Sequence, residues 1–411
     1  MTEAQCRFCK ADLKYTFVDL GMSPLSNSYL KAEQLNQSES FYPLHTYVCE
    51  KCLLVQLEEF ESPDHIFSDY AYFSSYSDTW LNHAEKYTNL MVERFKFNSS
   101  SQVIEIASND GYLLQFFQAQ NIPVLGIEPA DNVANVAKSK GIPTLVKFFG
   151  VITAKELAEQ NKKADLLLGN NVLAHVPDIN DFVAGMKIVL SQQGVITMEF
   201  PHLLQLITQN QFDTIYHEHF SYLSFTTVEK IFAYHGLILF DVEELSTHGG
   251  SLRIYAKHED NHDLKVSDRL SVLKEKEKQT GLDRVETYLQ FNDYVMETKR
   301  KLLSFLIQIK NSGKTIVGYG APAKGNTLLN YCGIRTDFLE YTCDRSPHKQ
   351  GLFLPGTHIP IYAPDKIKET RPDYVLILPW NLKEEVKEQL SFIKQWGGKF
   401  VVPIPEVEIL G

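Results

Sequence analysis

The chain has 411 residues, 44% of them hydrophobic and 12% aromatic, with a formal net charge of −11 at pH 7. That length exceeds one ordinary domain and that composition can bury real cores, which excludes a disordered chain and predicts two or three domains. An acidic balance with no long basic run argues against a polyanion-binding surface, so no nucleic-acid partner is expected, while local basic patches can still hold a diphosphate. Nor is there an apolar run of membrane-spanning length or a signal peptide at the start, so a cytoplasmic protein with no membrane partner is expected.

In chain order, the first signal is Cys6-x-x-Cys9 with Cys49-x-x-Cys52. Each pair turns two thiolates toward one ion, and two pairs complete a tetrahedral site of four sulfurs. Four thiolates leave no open position for water, so a structural Zn2+ that staples a small domain is expected, not a catalytic one. Strands expected at 13–20 and 44–48 fill the stretch between the pairs, and His45 is read as a bystander. A nucleic-acid zinc ribbon is the competing role, opposed by the acidic balance. The following stretch 69–80 is dense in Tyr and Ser, including Tyr70 and Tyr72, and reads either as a pocket-lining loop or as tyrosines packed on a helix face. A helix is expected over 82–97.

The chain is organised around Val103-Ile104-Glu105-Ile106-Ala107-Ser108-Asn109-Asp110-Gly111, then Val124-Leu125-Gly126-Ile127-Glu128. Two short apolar runs flanking an amphipathic segment predict strand, loop, helix, strand, the crossover that a parallel pair needs. The small residues after the first strand let a ligand approach the backbone, and Glu128, about 20 residues on, sits where doubly wound folds grip a ribose. No Gly-x-Gly-x-x-Gly is present, so a hydride carrier is not the first choice. The pattern resembles the S-adenosylmethionine site of class I methyltransferases. The core continues as helix 131–140, strand 143–146, helix 153–160 and strand 165–170. Asn170, Asn171 and His175 follow, where that class places the donor-site floor and one acceptor wall. A helix near 180–191 and a strand at 194–201 complete a mostly parallel, doubly wound sheet.

Tyr216-His217-Glu218-His219-Phe220-Ser221-Tyr222 concentrates imidazole, carboxylate and phenol. His-x-His lacks the helical spacing of metalloproteases, and acid–base work fits better, because His takes a proton near neutrality and a carboxylate can orient it. Residues 258–264 are expected as a linker, and 267–309 as long helices broken near Gly281, with their charges as solvated faces. A second α/β unit opens at 315–327 with a glycine-rich turn and Lys324 near a helix start. Exposed amides plus a cation suit a phosphate, although NAD could be proposed there. Strand 339–343 ends in Asp344 before a loop carrying Arg345 and Lys349, and strand 374–378 ends in Pro379-Trp380-Asn381. Cys332 and Cys343 are read as buried structural thiols.

Taken together, the paired Cys-x-x-Cys knuckles, Glu-Ile-Ala-Ser-Asn-Asp-Gly, Tyr-His-Glu-His-Phe-Ser-Tyr, Gly-Tyr-Gly-Ala-Pro-Ala-Lys-Gly-Asn-Thr, Lys-Gln-Gly-Leu-Phe-Leu-Pro-Gly-Thr-His-Ile-Pro-Ile and Pro-Trp-Asn resemble, in that order, the three-part sugar C-methyltransferases of deoxysugar biosynthesis. The resemblance covers essentially the whole chain. It implies an α/β protein with a zinc-binding domain at 1–75, a class I Rossmann-like methyltransferase domain at 76–260, and a helical linker with a second Rossmann-like domain at 261–411. It implies S-adenosyl-L-methionine and structural zinc as cofactors. The substrate is a nucleotide-activated keto sugar, with thymidine diphosphate the usual handle; nothing requires a partner subunit, so a monomer is expected.

Carried onto this sequence, Cys6, Cys9, Cys49 and Cys52 match the zinc ligands. Glu105, Ala107, Ser108, Asn109, Asp110 and Glu128 fall in the donor motifs, with Asn170 and Asn171 beyond them. His219 matches the base, with Glu218 beside it to hold the ring's tautomer. Tyr216, Tyr222 and His175 are similar to supporting positions, as is either Tyr70 or Tyr72. Lys324, Asn326, Arg345 and Lys349 are the candidates to hold the nucleotide. The implied chemistry is removal of a proton beside a ketone, then attack of the enolate carbon on the donor's methyl group. An O- or N-methyltransferase of another small metabolite and a non-catalytic zinc adaptor on a methyltransferase fold are the alternatives.

Overall fold

The computed structural model describes residues 4–62 and 73–411. The chain forms two compact units that interleave along the sequence. The first is Met1–Leu13, Cys49–His202 and Phe220–Asp283; the second is Lys14–Val48, Leu203–His219 and Arg284–Gly411.

The first unit is built on a seven-stranded sheet. Its strands lie in the order Leu237–Leu245, Ser251–His258, Leu190–Pro201, Ala164–Asn170, Val103–Ile106, Val124–Ile127 and Thr144–Leu145. The last four and Leu190–Pro201 pair parallel, and the two remaining strands add antiparallel at one edge. Successive residues of a strand face opposite sides, and the apolar runs obey this. Ile104, Leu167 and Ile196 enter a core shared with helices Val151–Glu159, Ile179–Val189 and Phe225–Tyr234. Val103, Leu166, Leu168 and Val195 enter the opposite core with helix Asp78–Phe95. The first core also takes in Cys6, Cys49, Cys52 and Leu54, so the cysteine knuckles are packed onto the sheet's helical layer. Burying each such aliphatic side chain contributes about 1.5–3 kcal/mol.

The 258–264 stretch is not the linker expected from its polarity. The buried Lys257 ammonium must find acceptors, and it donates to the carbonyls of Asn261 and Leu264, both at 2.5 Å, which folds the stretch back. The helix after it, Arg269–Gln279, also belongs to the first unit. Its buried Glu277 accepts from His202 and from the amides of Phe225 and Thr226, the start of helix Phe225–Tyr234. The break expected near Gly281 falls between this helix and Val285–Leu289.

The second unit has a six-stranded sheet in the order Ile361–Tyr362, Thr342–Cys343, Ile316–Tyr319, Tyr374–Ile377, Lys399–Val402 and Glu408–Leu410. All pairs are parallel except the last. The antiparallel pair Tyr15–Ser23 and Tyr42–Val48 joins it through Phe17, whose ring stacks on Phe291 at 4.6 Å and meets Tyr288 edge-on. Cys332 and Cys343 are buried, as read. Among the described residues no helix is long and apolar enough to cross a membrane.

Candidate active site and metal centre

The two cysteine knuckles are copies of one backbone turn. In each, the first cysteine's carbonyl accepts from the amide four residues on, Lys10 to Cys6 and Leu53 to Cys49. Each first cysteine's amide donates one residue further, Cys6 to Ala11 and Cys49 to Leu54. Lys10 and Leu53 take the same left-handed conformation, at φ 60° and 65°. The result gathers four Sγ atoms within 4.8 Å of one another, with Cys6–Cys52 and Cys9–Cys49 at 3.5 Å. Disulfide sulfurs stand about 2 Å apart, whereas four thiolates at zinc–sulfur distances of about 2.3 Å spread as these do. The donor set fits structural zinc. His45 takes no part: its Nε2 bonds Thr16 Oγ1 at 2.8 Å.

At the carboxyl end of strand Val103–Ile106 the backbone coils through left-handed positions at Ala107 (φ 55°), Asn109 (φ 50°) and Gly111 (φ 76°). At that φ a Cβ is strained, and on Gly111 it would also stand 2.3 Å from Ile142 Cδ1, so glycine is favoured there. Glu128 holds this loop: its Oε2 accepts from the Asn109 amide and its Oε1 from the Ala130 amide, both at 2.9 Å. Two carboxylate oxygens offer about four acceptor sites, so capacity for a ribose hydroxyl remains. Asn109 and Asp110 turn the other way. Asn109 Oδ1 accepts from the Ser74 amide at 3.0 Å, and Asp110 Oδ2 takes the Ser75 hydroxyl and faces Lys140 Nζ at 3.5 Å. These two side chains hold the 74–76 turn in place. Ser108 is buried against Gly126, where a Cβ would meet its Oγ at 2.4 Å.

Glu105 is different. It is fully buried, and apart from the nearby Tyr112 hydroxyl its carboxylate oxygens have no hydrogen-bond partner among the described residues. Burial, reinforced by the Glu128 and Asp110 carboxylates, holds its pKa well above the ordinary carboxylate range, against the pull of the Tyr112 hydroxyl. An orphaned buried acid at a loop that exposes backbone fits a cationic ligand. Asn170 Nδ2 reaches the Tyr112 hydroxyl at 3.4 Å. Asn171, at φ 55°, bonds His248 Nε2 at 2.9 Å. His175 lies on the short turn Leu173–His175, and Tyr222 on strand Ser221–Tyr222, paired with Val55. Sequence reading missed the neighbouring group of His83, Arg253 and Thr247, which all bond the buried Glu199.

In the second unit, Tyr216 and His219 close one turn: the His219 amide donates to the Tyr216 carbonyl and their rings lie 4.0 Å apart. His219 Nδ1 stands 2.8 Å from the Thr214 carbonyl. A carbonyl only accepts, so Nδ1 carries the proton and Nε2 keeps its lone pair. The tautomer is therefore set by Thr214, not by Glu218 as expected. Glu218 points elsewhere because its buried carboxylate needs a donor, and Asn27 Nδ2 supplies one at 2.5 Å. Burial raises the Glu218 pKa to about 7, against Asn27 and the Lys349 charge. His217 is buried, with Nε2 on the Pro43 carbonyl at 3.2 Å, and burial depresses its pKa.

One pH effect follows. Glu218 stays protonated in the folded chain up to about pH 7 and ionises near the ordinary carboxylate value of 4.5 when unfolded, so its contribution falls as pH rises through that window. Glu218→Gln flattens this loss, and thermal melts at pH 5 and pH 8 check it: the variant should gain relative to the native chain only at the higher pH.

The nucleotide candidates are each engaged by protein groups. Lys324 Nζ donates to Asn381 Oδ1 at 2.9 Å and lies 4.6 Å from the Trp380 ring centre. Asn326 Nδ2 donates to the Ser26 carbonyl at 2.6 Å. Arg345 is exposed and faces Glu385 at 3.5 Å. Lys349 Nζ and the Tyr29 hydroxyl both donate to the Ala321 carbonyl, at 2.8 and 2.6 Å. The glycine-rich turn repeats the first unit's device. Asp344, ending the second strand, accepts from the Ala321 amide and from Ser346 two residues on, as Glu128 does from Asn109 and Ala130. Tyr70 and Tyr72 lie outside the described residues.

A doubly wound sheet with a buried acid at the end of its first strand and a second acid gripping the loop defines a class I, S-adenosylmethionine-dependent methyltransferase. Family models and a full-length relative agree. A methyltransferase domain model matches residues 81–241, a zinc binding domain model 6–67, and a model described as the C-methyltransferase C-terminal domain 246–405. The C-methyltransferase NovU of Streptomyces niveus is 34% identical over 406 residues, covering 99% of this chain and 96% of its own. A ubiquinone biosynthesis O-methyltransferase of Bartonella quintana is 27% identical over 96 residues, 23% of this chain and 39% of its own. Among solved structures, the magnesium protoporphyrin IX methyltransferase of Synechocystis PCC 6803 with bound SAH is 14% identical at a TM-score of 0.35, covering 43% of this chain and 83% of its own. The chain belongs to the C-methyltransferase family with an amino-terminal zinc-binding domain.

Proposed function

We propose that this C-methyltransferase acts on a keto sugar carried by a nucleoside diphosphate, and that His219 Nε2 removes the proton beside the ketone. The observation that carries the reading is the His219 Nδ1–Thr214 carbonyl bond, which leaves Nε2 as a base. A carbon next to a ketone is not nucleophilic until that proton is gone; a general base contributes about 10²–10⁴-fold to such a step. Bound S-adenosylmethionine supplies a methyl group already activated by its sulfonium, so the acceptor is what needs activation. Tyr216, whose ring lies 4.0 Å from the imidazole, would donate its phenol to the enolate oxygen. A second Rossmann-like sheet with a glycine-rich turn supports a nucleotide handle, whose binding energy positions the reacting carbon. Lys349, Arg345 and Lys324 supply positive charge around that sheet's carboxyl end.

The test is incubation with S-adenosylmethionine and a panel of keto sugar nucleotides. A methyl-sized mass gain that survives base hydrolysis of the product supports the reading; methylation of a hydroxyl or of a non-sugar acceptor instead would overturn it.

For the donor, Glu105 would hold the cationic part and Glu128 the ribose. A cation favours the ionised form of Glu105, whose pKa is raised by burial, so donor binding should release protons and strengthen as pH rises. Calorimetry in buffers of different ionisation enthalpy reads that release. Glu105→Gln should abolish it and weaken binding about tenfold or more.

A further inference from the structure

The Thr214 carbonyl can fix the His219 tautomer only if it is itself held still. It belongs to the short turn Phe212–Thr214, which helix Ala323–Cys332 and Trp380 of the same unit hold from either end. Phe212 meets the Tyr331 ring edge-on at 5.4 Å. Thr327 Oγ1 donates to the Ile215 carbonyl at 2.9 Å, one residue past the turn. Asp213, fully buried, takes the Trp380 indole N–H on Oδ2 at 2.7 Å, and its Oδ1 has no hydrogen-bond partner. Lys324, from the first turn of the helix, supplies the opposing charge and eases the rise that burial gives the Asp213 pKa, to about 6. The ammonium is turned toward Asn381 and the Trp380 face. Burying an acid this completely is costly, and the donors that offset it come from the turn's own backbone and from Trp380, so the carboxylate ties the turn to that indole.

We infer that Asp213 and Thr327 are positioning residues, which set the proton-bearing nitrogen of His219 by clamping the turn that carries the Thr214 carbonyl. The inference rests on the reading of His219 as the base. A turn that shifts by about 1 Å costs a reaction on the order of 10²-fold. It also costs the imidazole its acceptor, so both ring nitrogens compete for the proton. Lys324 then serves as the counter-charge of Asp213.

The test uses the full chain with Thr327→Val, Thr327→Ser, Asp213→Asn and His219→Ala, assayed with S-adenosylmethionine and the keto sugar nucleotide that the native chain methylates. Thr327→Val keeps the side chain's size and removes its donor; Thr327→Ser keeps the donor. Asp213→Asn keeps an acceptor for Trp380 and removes the charge. Expected are a kcat lowered about tenfold or more in Thr327→Val and Asp213→Asn with KM little changed, and recovery in Thr327→Ser. Nitrogen-15 shifts of the His219 ring, read without substrate, should show one Nδ1–H tautomer in the native chain and Thr327→Ser, and a mixture in the other two variants. Native kcat and a single tautomer in Thr327→Val and Asp213→Asn overturn the inference, as does a lowered melting temperature with kcat per folded chain unchanged. If His219→Ala itself keeps native turnover, the base reading falls; if only His219→Ala is impaired, the positioning role alone falls.

Discussion

Replacing His219 by alanine should lower turnover by about 10²-fold or more while leaving S-adenosylmethionine binding intact. The size of the effect comes from the step removed. Without a base, a C–H beside a ketone must lose its proton to water, and the methyl donor cannot compensate because its sulfonium does nothing to acidify the acceptor. The second half of the expectation comes from where the groups lie in the fold. His219 sits in the Leu203–His219 segment of the second unit, whereas Glu105 and Glu128 sit on the sheet of the first. Turnover in initial-rate assays and donor affinity by calorimetry read the two halves separately. His219→Asn keeps a donor near Thr214 without a titrating nitrogen, and should be as impaired as alanine.

Removing zinc should have the second large effect, on folding. An ion held by Cys6, Cys9, Cys49 and Cys52 ties the amino-terminal turn to the Cys49–Leu57 stretch and to the helical core beneath it. Structural zinc in small peptide sites contributes about 10–16 kcal/mol of apparent binding energy at neutral pH, more than the whole stability of most domains. Cys6→Ala or Cys52→Ala should therefore bind substoichiometric zinc by elemental analysis and melt well below the native chain. A strong chelator should do the same slowly. An active, normally stable, zinc-free variant would contradict the structural role, since four thiolates leave no position for catalysis at the metal.

Much of this was legible in the sequence because it is local. The knuckles announce themselves by spacing, and the Val103–Ile106 strand, its acidic loop and Glu128 by an apolar period interrupted by small residues. What the sequence hid are partners chosen by tertiary packing. Glu218 stands next to His219 in the chain, and adjacency suggested a tautomer-holding pair; in the fold the two side chains diverge, one to Asn27 and one to Thr214. Asp213 carries no motif and Thr327 only ends one, and their bonds, to Trp380 and to the Ile215 carbonyl, each join residues more than a hundred positions apart. Lys324 read as a phosphate anchor because it begins a helix after a glycine-rich turn. The turn's glycines have a packing reason as well: a Cβ on Gly320, at φ 88°, would strike Pro379 at 2.5 Å. The 258–264 stretch looked like a linker because polarity reports composition, not the acceptors a buried lysine demands.

Deuterium exchange separates proton removal from methyl transfer. The keto sugar nucleotide is held with native enzyme and S-adenosylhomocysteine in D2O, and mass spectrometry follows the hydrogen beside the ketone. Uptake of deuterium by native enzyme, reduced to the uncatalysed background in His219→Ala, is the predicted result. Equal uptake with both proteins would mean that another group takes the proton and that the imidazole on Thr214 is not the base.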